Sequence, residues 1–149
     1  MKIFDKLIFK NINKAMNIIH FFEWEQPDII SFDFDDTLCL KHGVPNEEIV
    51  KILKNYHREG CTCIIVTARN HEHESEEWWR ENQPNRTTII KFLKKNQIPI
   101  EKIFFTNHEP KGPILKKLNV KLHYDDKDEE LESAKDHGIK TIKVEYKEV

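Results

Sequence analysis

The apolar residues of this chain fall into short blocks whose spacing switches between two periods. From Asp28 to Phe34 the run Ile29-Ile30-Ser31-Phe32 reads as a buried strand ending in acids. Thr62 to Thr67 is a β-branched strand, and Lys102–Thr106, Lys121–Tyr124 and Lys140–Val144 predict three more. Between them the spacing turns helical. Ile49, Val50, Ile52, Leu53 and Tyr56 share one side of a helix opened by Pro45 and closed by Gly60. Residues 72–82 and 86–96 read as helices separated by Pro84, followed by Gly112–Leu118 and by Lys127–His137, which Gly138 closes. Strands alternating with helices predict an α/β fold of three layers. A central parallel sheet carries helices on both faces, joined by right-handed crossovers. Ligands of such sheets collect at the carboxyl ends of the strands.

Ahead of this block, Phe4, Leu7, Ile8, Ile12, Ala15, Ile18, Ile19 and Phe22 recur at helical spacing, with Lys6, Lys10, Asn13, Lys14 and Asn17 between them. This predicts an amphipathic N-terminal helix within residues 1–27 and a main domain over 28–149. The apolar face of that helix suits packing on its own domain, a partner protein or a second copy of the chain. Asp5, Lys6, Lys10, Asn11 and Asn13 interrupt the apolar core a signal peptide would need, and no run is long enough to span a membrane. The 149 residues suit one core, and the chain reads as soluble and globular. A formal net charge of −2 gives no global basic footprint for nucleic acid. Cys39, Cys61 and Cys63 are too few and too unevenly placed for a disulfide framework, and Cys61-x-Cys63 has no second pair for zinc. They read as small residues packed in a reducing cytoplasm.

The polar residues that break the apolar pattern gather at the predicted strand ends. Asp33 and Asp35 follow the first strand, Thr67 and Arg69 the second, and Asp125 and Asp126 the fourth, while Lys111 precedes the helix before it. Acids at i and i+2 of an extended chain share a face, and two such acids repel unless a cation lies between them. Oxygen donors of this kind suit Mg²⁺, with Asp126 completing the set. Phosphate monoesters hydrolyse very slowly unaided. A cation beside the phosphate lowers anion–anion repulsion, and a carboxylate nucleophile divides the reaction into two easier steps.

These residues resemble the four motifs of the haloacid dehalogenase (HAD) superfamily of phosphatases. Ile29-Ile-Ser-Phe-Asp33-Phe-Asp35-Asp-Thr37-Leu38 resembles the first, Ile64-Ile-Val-Thr67 the second, Lys111-Gly-Pro-Ile-Leu115 the third and Leu122-His-Tyr-Asp125-Asp126 the fourth. All occur in order, with the expected helices between them. The resemblance implies a Rossmannoid HAD-like fold and a Mg²⁺-dependent phosphohydrolase. In it Asp33 is the nucleophile and a metal ligand. Asp35 is the general acid and then base, its backbone carbonyl also binding metal. Thr67 hydrogen-bonds a phosphoryl oxygen, Lys111 offsets charge on the nucleophile and the transferring group, and Asp126 binds the metal directly. It leaves Asp125 to act through water or to orient Lys111, and Thr37 to bond within its loop.

Neither the gap from Leu38 to Thr62 nor that from Thr67 to Lys111 holds a cap domain, and capless members often take large substrates. Val44–Tyr56, Ile64–Arg69 and Val120–Asp126 further resemble the phosphatase domain of phage polynucleotide kinase-phosphatase, which removes 3′-phosphates from nucleic-acid ends. Thr67-Ala68-Arg69 matches its motif II turn with Ala for Gly, so Arg69 is expected to contact substrate phosphate. The arginine that this family places after motif I has no clear match; Lys41 and His42 are the nearest cations. No G-x-x-x-x-G-K-[ST] kinase motif is present. The expected activity is therefore a polynucleotide 3′-phosphatase. The alternatives are a nucleotide or other small-molecule phosphatase, a phosphoprotein phosphatase, or a phosphate-binding subunit of a repair assembly. Trp78 and Trp79 are candidates to stack on a base, and His71 and His73 read as loop histidines rather than a metal pair. Lysines 91, 94, 95, 111, 116, 117 and 121 are the candidates for a local basic patch.

Overall fold

The computed structural model describes residues 26–70 and 85–145. The expected N-terminal helix, the helix over 72–82, His71, His73, Trp78 and Trp79 lie outside the described residues. Five parallel strands form one sheet: β1 (Ile29–Phe32), β2 (Thr62–Thr67), β3 (Lys102–Phe105), β4 (Leu122–Asp125) and β5 (Lys140–Lys143). Their spatial order is β3-β2-β1-β4-β5. The chain thus winds outward from β1 to one edge, then crosses to β4 and β5 on the other side. The helices are α1 (Glu47–Arg58), α2 (Asn85–Lys95), α3 (Gly112–Lys117) and α4 (Asp128–Asp136), with a short 3₁₀ turn at Lys41–Gly43.

Alternation along β1 and β2 splits the core into two layers. Ile30, Phe32, Cys63 and Ile65 face α1 and α2, packing on Ile49, Leu53, Ile89 and Phe92. Ile64 and Val66 face α3 and α4, packing on Leu115 and Ala134. Burial of both faces makes β2 a continuous apolar run instead of an alternating one. This is the expected three-layer α/β fold, and the described residues hold no cap domain. None of the described helices is long and apolar enough to cross a membrane.

Within the described residues the predicted elements stand, with shifted ends. The α1 helix starts at Glu47 behind Asn46, with Glu47 and Glu48 placed to favour its N-terminal dipole. Pro45 lies before the helix, in an isolated bridge with Cys39. Gly60 closes it with a φ of 92°, a conformation that costs other residues a Cβ clash. The first strand ends at Phe32 rather than Phe34. Beyond it the amides of Leu38 and Cys39 both donate to the Phe34 carbonyl and fold the chain into a tight loop, with Asp36 at a φ of 62°. Asp125 is the last residue of β4 and does not follow it.

Candidate active site

The C-terminal ends of β1, β2 and β4 meet at one rim, and that rim holds the acids. Asp33 leaves β1 with its amide donating 2.9 Å to the Tyr124 carbonyl, so its side chain stands beside Asp125. Lys111 precedes α3. Its amide donates to Glu130 Oε1 at 3.0 Å, and the next amide, Gly112, donates to Ser133 Oγ at 2.9 Å. Two α4 side chains thereby clamp the start of α3 and aim Lys111 inward. A Cβ on Gly112 would collide with the Ser133 carbonyl oxygen, so glycine permits this approach.

The Lys111 side chain is 1% exposed and bridges two carboxylates. Its Nζ donates to Asp33 Oδ1 at 2.9 Å and to Asp125 Oδ2 at 2.7 Å. Burial works against the ammonium, yet Asp33 and Asp125 together outweigh it and hold Lys111 above its usual range. Burial would likewise raise the Asp125 carboxyl. The hydrogen bond from His123 and the charge of Lys111 win, and Asp125 is held well below the usual carboxylate range. Asp33 goes the other way. Burial, with Asp125 adding, pushes it well up, and Lys111 offsets only part of that. Asp126 is also raised, chiefly by burial.

Carboxylate oxygens of Asp33, Asp125 and Asp126 all lie within 4.8 Å of one another. An all-oxygen set in which two acids resist ionisation fits a hard divalent cation, which would relieve their repulsion. The Thr37 hydroxyl reaches both Asp33 Oδ2 and Asp126 Oδ1 over long contacts of 3.4 and 3.5 Å. Thr67 is fully buried, and its Oγ1 accepts the Arg69 amide at 3.2 Å, leaving its own O–H to donate.

Asp35 sits apart from this cluster, with its side chain 49% exposed. Arg69 was expected to face substrate phosphate, but here it grips Asp35. Its Nε donates to Oδ2 at 2.8 Å and its Nη2 to Oδ1 at 2.7 Å, while Nη1 reaches Asn85 Oδ1 at 3.1 Å. The guanidinium also lies 5.2 Å above the Phe34 ring. A cleft of about 410 Å³ opens beside this pair, lined by Phe34, Asp35, Leu40, Lys41, Arg69 and Phe92 among others. The candidate lysines do not form one surface and sit mostly on separate helix faces. Lys111 is buried, Lys91, Lys94 and Lys95 lie on α2, and Lys116 and Lys117 lie on α3 across the sheet.

Two polar residues escaped the sequence reading. Ser31 and His123 are fully buried directly beneath Asp33 and Asp125. The signal was there in the period-2 pattern, as Ser31-x-Asp33 and His123-x-Asp125.

The profile of haloacid dehalogenase-like hydrolases matches residues 30–82, the stretch that carries β1, Asp33, Asp35, α1 and β2. That match and the five-stranded parallel sheet together support a haloacid dehalogenase-like hydrolase of the phosphatase kind. Among solved structures, a chain of the "Structure of Pnkp1/Rnl/Hen1 complex" shares the fold with a TM-score of 0.62 at 19% identity. The match covers 83% of this chain and 47% of that one, so this chain spans under half of that neighbour's length. No curated protein gives a significant match.

Proposed function

We propose that this chain hydrolyses phosphate monoesters through an aspartyl-phosphate on Asp33, with polynucleotide 3′-phosphate ends as its substrate. The observation that carries the chemistry is Lys111 Nζ bridging Asp33 and Asp125 in a buried site, while Asp35 stands in the open. A buried ammonium beside a carboxylate nucleophile offsets charge as that oxygen approaches an anionic phosphoryl group. Asp33 attacks phosphorus, the ester P–O bond breaks, and Asp35 gives its proton to the departing oxygen. Water then attacks phosphorus in the aspartyl-phosphate. Asp35 takes its proton, and phosphate leaves Asp33 free. Thr67 donates its hydroxyl to a phosphoryl oxygen.

Mg²⁺ is the cation this oxygen set suits, held by Asp33, Asp126 and the Asp35 carbonyl. When bound, it neutralises phosphate charge and lowers the barrier to anionic attack. Asp125 then serves mainly to hold Lys111. Arg69 has most of its donors on Asp35 and Asn85, so it orients the acid/base and meets substrate only by giving up part of that grip.

The 3′-end reading draws on the sequence resemblance to polynucleotide kinase-phosphatases and on the fold shared with a chain of the Pnkp1/Rnl/Hen1 complex. The cleft beside Asp35 offers apolar walls and cationic groups to a leaving nucleoside. A cytoplasmic setting suits its three free thiols. Docking of the N-terminal segment on a partner protein or a second copy belongs to the same proposal.

The test is phosphate release with Mg²⁺ from a 3′-phosphorylated oligonucleotide, with a 5′-phosphorylated oligonucleotide, mononucleotides and an aryl phosphate in parallel. Preference for the 3′-phosphate is the expected result, and preference for mononucleotides would move the enzyme to small substrates. Asp33→Asn is expected to lower turnover by more than about 1000-fold. Full turnover in that variant would remove Asp33 as nucleophile.

A further inference from the structure

Ser31 and His123 are register partners on adjacent strands. They lie on the sheet face that otherwise presents Ile64 and Val66 to Leu115 and Ala134. A histidine inside such a layer is costly unless both ring nitrogens are bonded. Both are. Ser31 Oγ lies 2.6 Å from Nδ1, and Nε2 lies 2.8 Å from Asp125 Oδ2. An ionised carboxylate only accepts, so Nε2 carries the proton and Nδ1 accepts the Ser31 hydroxyl.

The chain of bonds continues outward. The same Asp125 Oδ2 accepts Lys111 Nζ at 2.7 Å, and that ammonium also donates to Asp33 Oδ1 at 2.9 Å. Among the described residues, the other oxygen, Asp125 Oδ1, accepts the Lys127 amide at 3.2 Å. The shorter and better-placed donor behind the carboxylate is the His123 ring, at 2.8 Å on Oδ2. Without the ring, Oδ2 keeps only Lys111 itself and Oδ1 the longer Lys127 bond, so the carboxylate can shift about its last torsion and carry Lys111 away from Asp33. Apart from Ser31 and the acid it serves, the layer around the ring is apolar, with Ile64, Val66, Leu115 and Ala134 on the same face.

We propose that His123, oriented by Ser31, is a positioning residue that fixes the Asp125 carboxylate and so holds the Lys111 ammonium against Asp33. The proposal rests on the reading of Asp33 as nucleophile and deepens it. Three variants test it: His123→Leu removes the donor, His123→Gln returns an amide donor at the same reach, and Ser31→Ala frees the ring. Each is assayed for kcat and KM on an aryl phosphate. Each is also read without metal or substrate, by acylation of Lys111 in the folded protein followed by mass spectrometry. Ring ¹⁵N shifts of the unmodified protein report the tautomer.

The expected result is a kcat loss of about 10- to 100-fold in His123→Leu, with KM little changed. Lys111 should acylate faster in that variant, both effects should be largely reversed in His123→Gln, and the ring should be protonated at Nε2. A folded His123→Leu protein with unchanged kcat and unchanged Lys111 acylation would overturn the proposal, as would a ring protonated at Nδ1. If His123→Leu fails to fold, Ser31→Ala decides in its place. It should speed Lys111 acylation, and identity with wild type overturns the idea. Absence of any turnover in the wild-type protein would count against the phosphatase reading, while the acylation and tautomer data would still judge the positioning role.

Discussion

Asp33 and Asp35, two residues apart, meet opposite environments, and the roles proposed for them follow that difference. Asp33 is buried beside an ammonium, while Asp35 is half exposed and held by a guanidinium. Burial raises the folded-state pKa of Asp33 above its unfolded value of about 3.9. A raised acid favours folding while it is protonated, and that contribution is lost as pH rises through the folded value. At neutral pH without metal, ionised Asp33 therefore costs stability. Asp33→Asn should raise the urea midpoint of the metal-free protein at pH 7, and the gain should shrink on acidification. An unchanged or lower midpoint at pH 7 would contradict that sign. Arg69 is the second case. Lysine keeps its charge but cannot hold both oxygens of Asp35 together. Arg69→Lys should lower kcat by about 10- to 100-fold while leaving the thermal midpoint near wild type, a pairing that steady-state kinetics and a melting curve check together.

Among the elements, α3 does more than its length suggests. It has only six residues, and its function is to deliver Lys111. Glu130 and Ser133 of α4 fix its first amides, and Gly112 lets the two helices approach. Gly112→Ala places a methyl against a backbone carbonyl that cannot move cheaply. It should cost about 1–3 kcal/mol in urea unfolding and lower activity through displacement of Lys111. The helices themselves were legible in the sequence, because 3.6-residue spacing and Gly60 and Gly138 punctuate them locally. The end of β1 was not. The run from Asp28 to Phe34 is apolar enough to continue as strand, but the Phe34 carbonyl is taken by the loop amides of Leu38 and Cys39.

Taken as a whole molecule, the parallel sheet sends Asp33, Asp35, Asp36, Asp125 and Asp126 to one rim, where Lys111 pairs with Asp33 and Asp125 and Arg69 with Asp35. A cation bound at that rim favours the folded state by mass action. At a hundredfold excess over its dissociation constant the gain is about 2.7 kcal/mol, which should raise the melting temperature by several degrees. Mg²⁺ titration in a thermal-shift experiment checks this, and Asp126→Asn should remove most of the rise. An equal rise in that variant would place the cation elsewhere.

The strands, the helices and the acids at the strand ends were determined by the sequence alone. Period-2 and period-3.6 patterns are local, and a parallel sheet sends polar interruptions to its carboxyl edge whatever the strand order. The pairings were decided by tertiary structure. Lys111 and Asp33 are 78 residues apart, and Arg69 and Asp35 are 34 apart. Which cation met which acid depended on β4 and β2 flanking β1 and on α3 packing against α4. Ser31 and His123 show the same division. Their polarity stood in the sequence, but its use under Asp125 existed only once the two strands lay side by side in register.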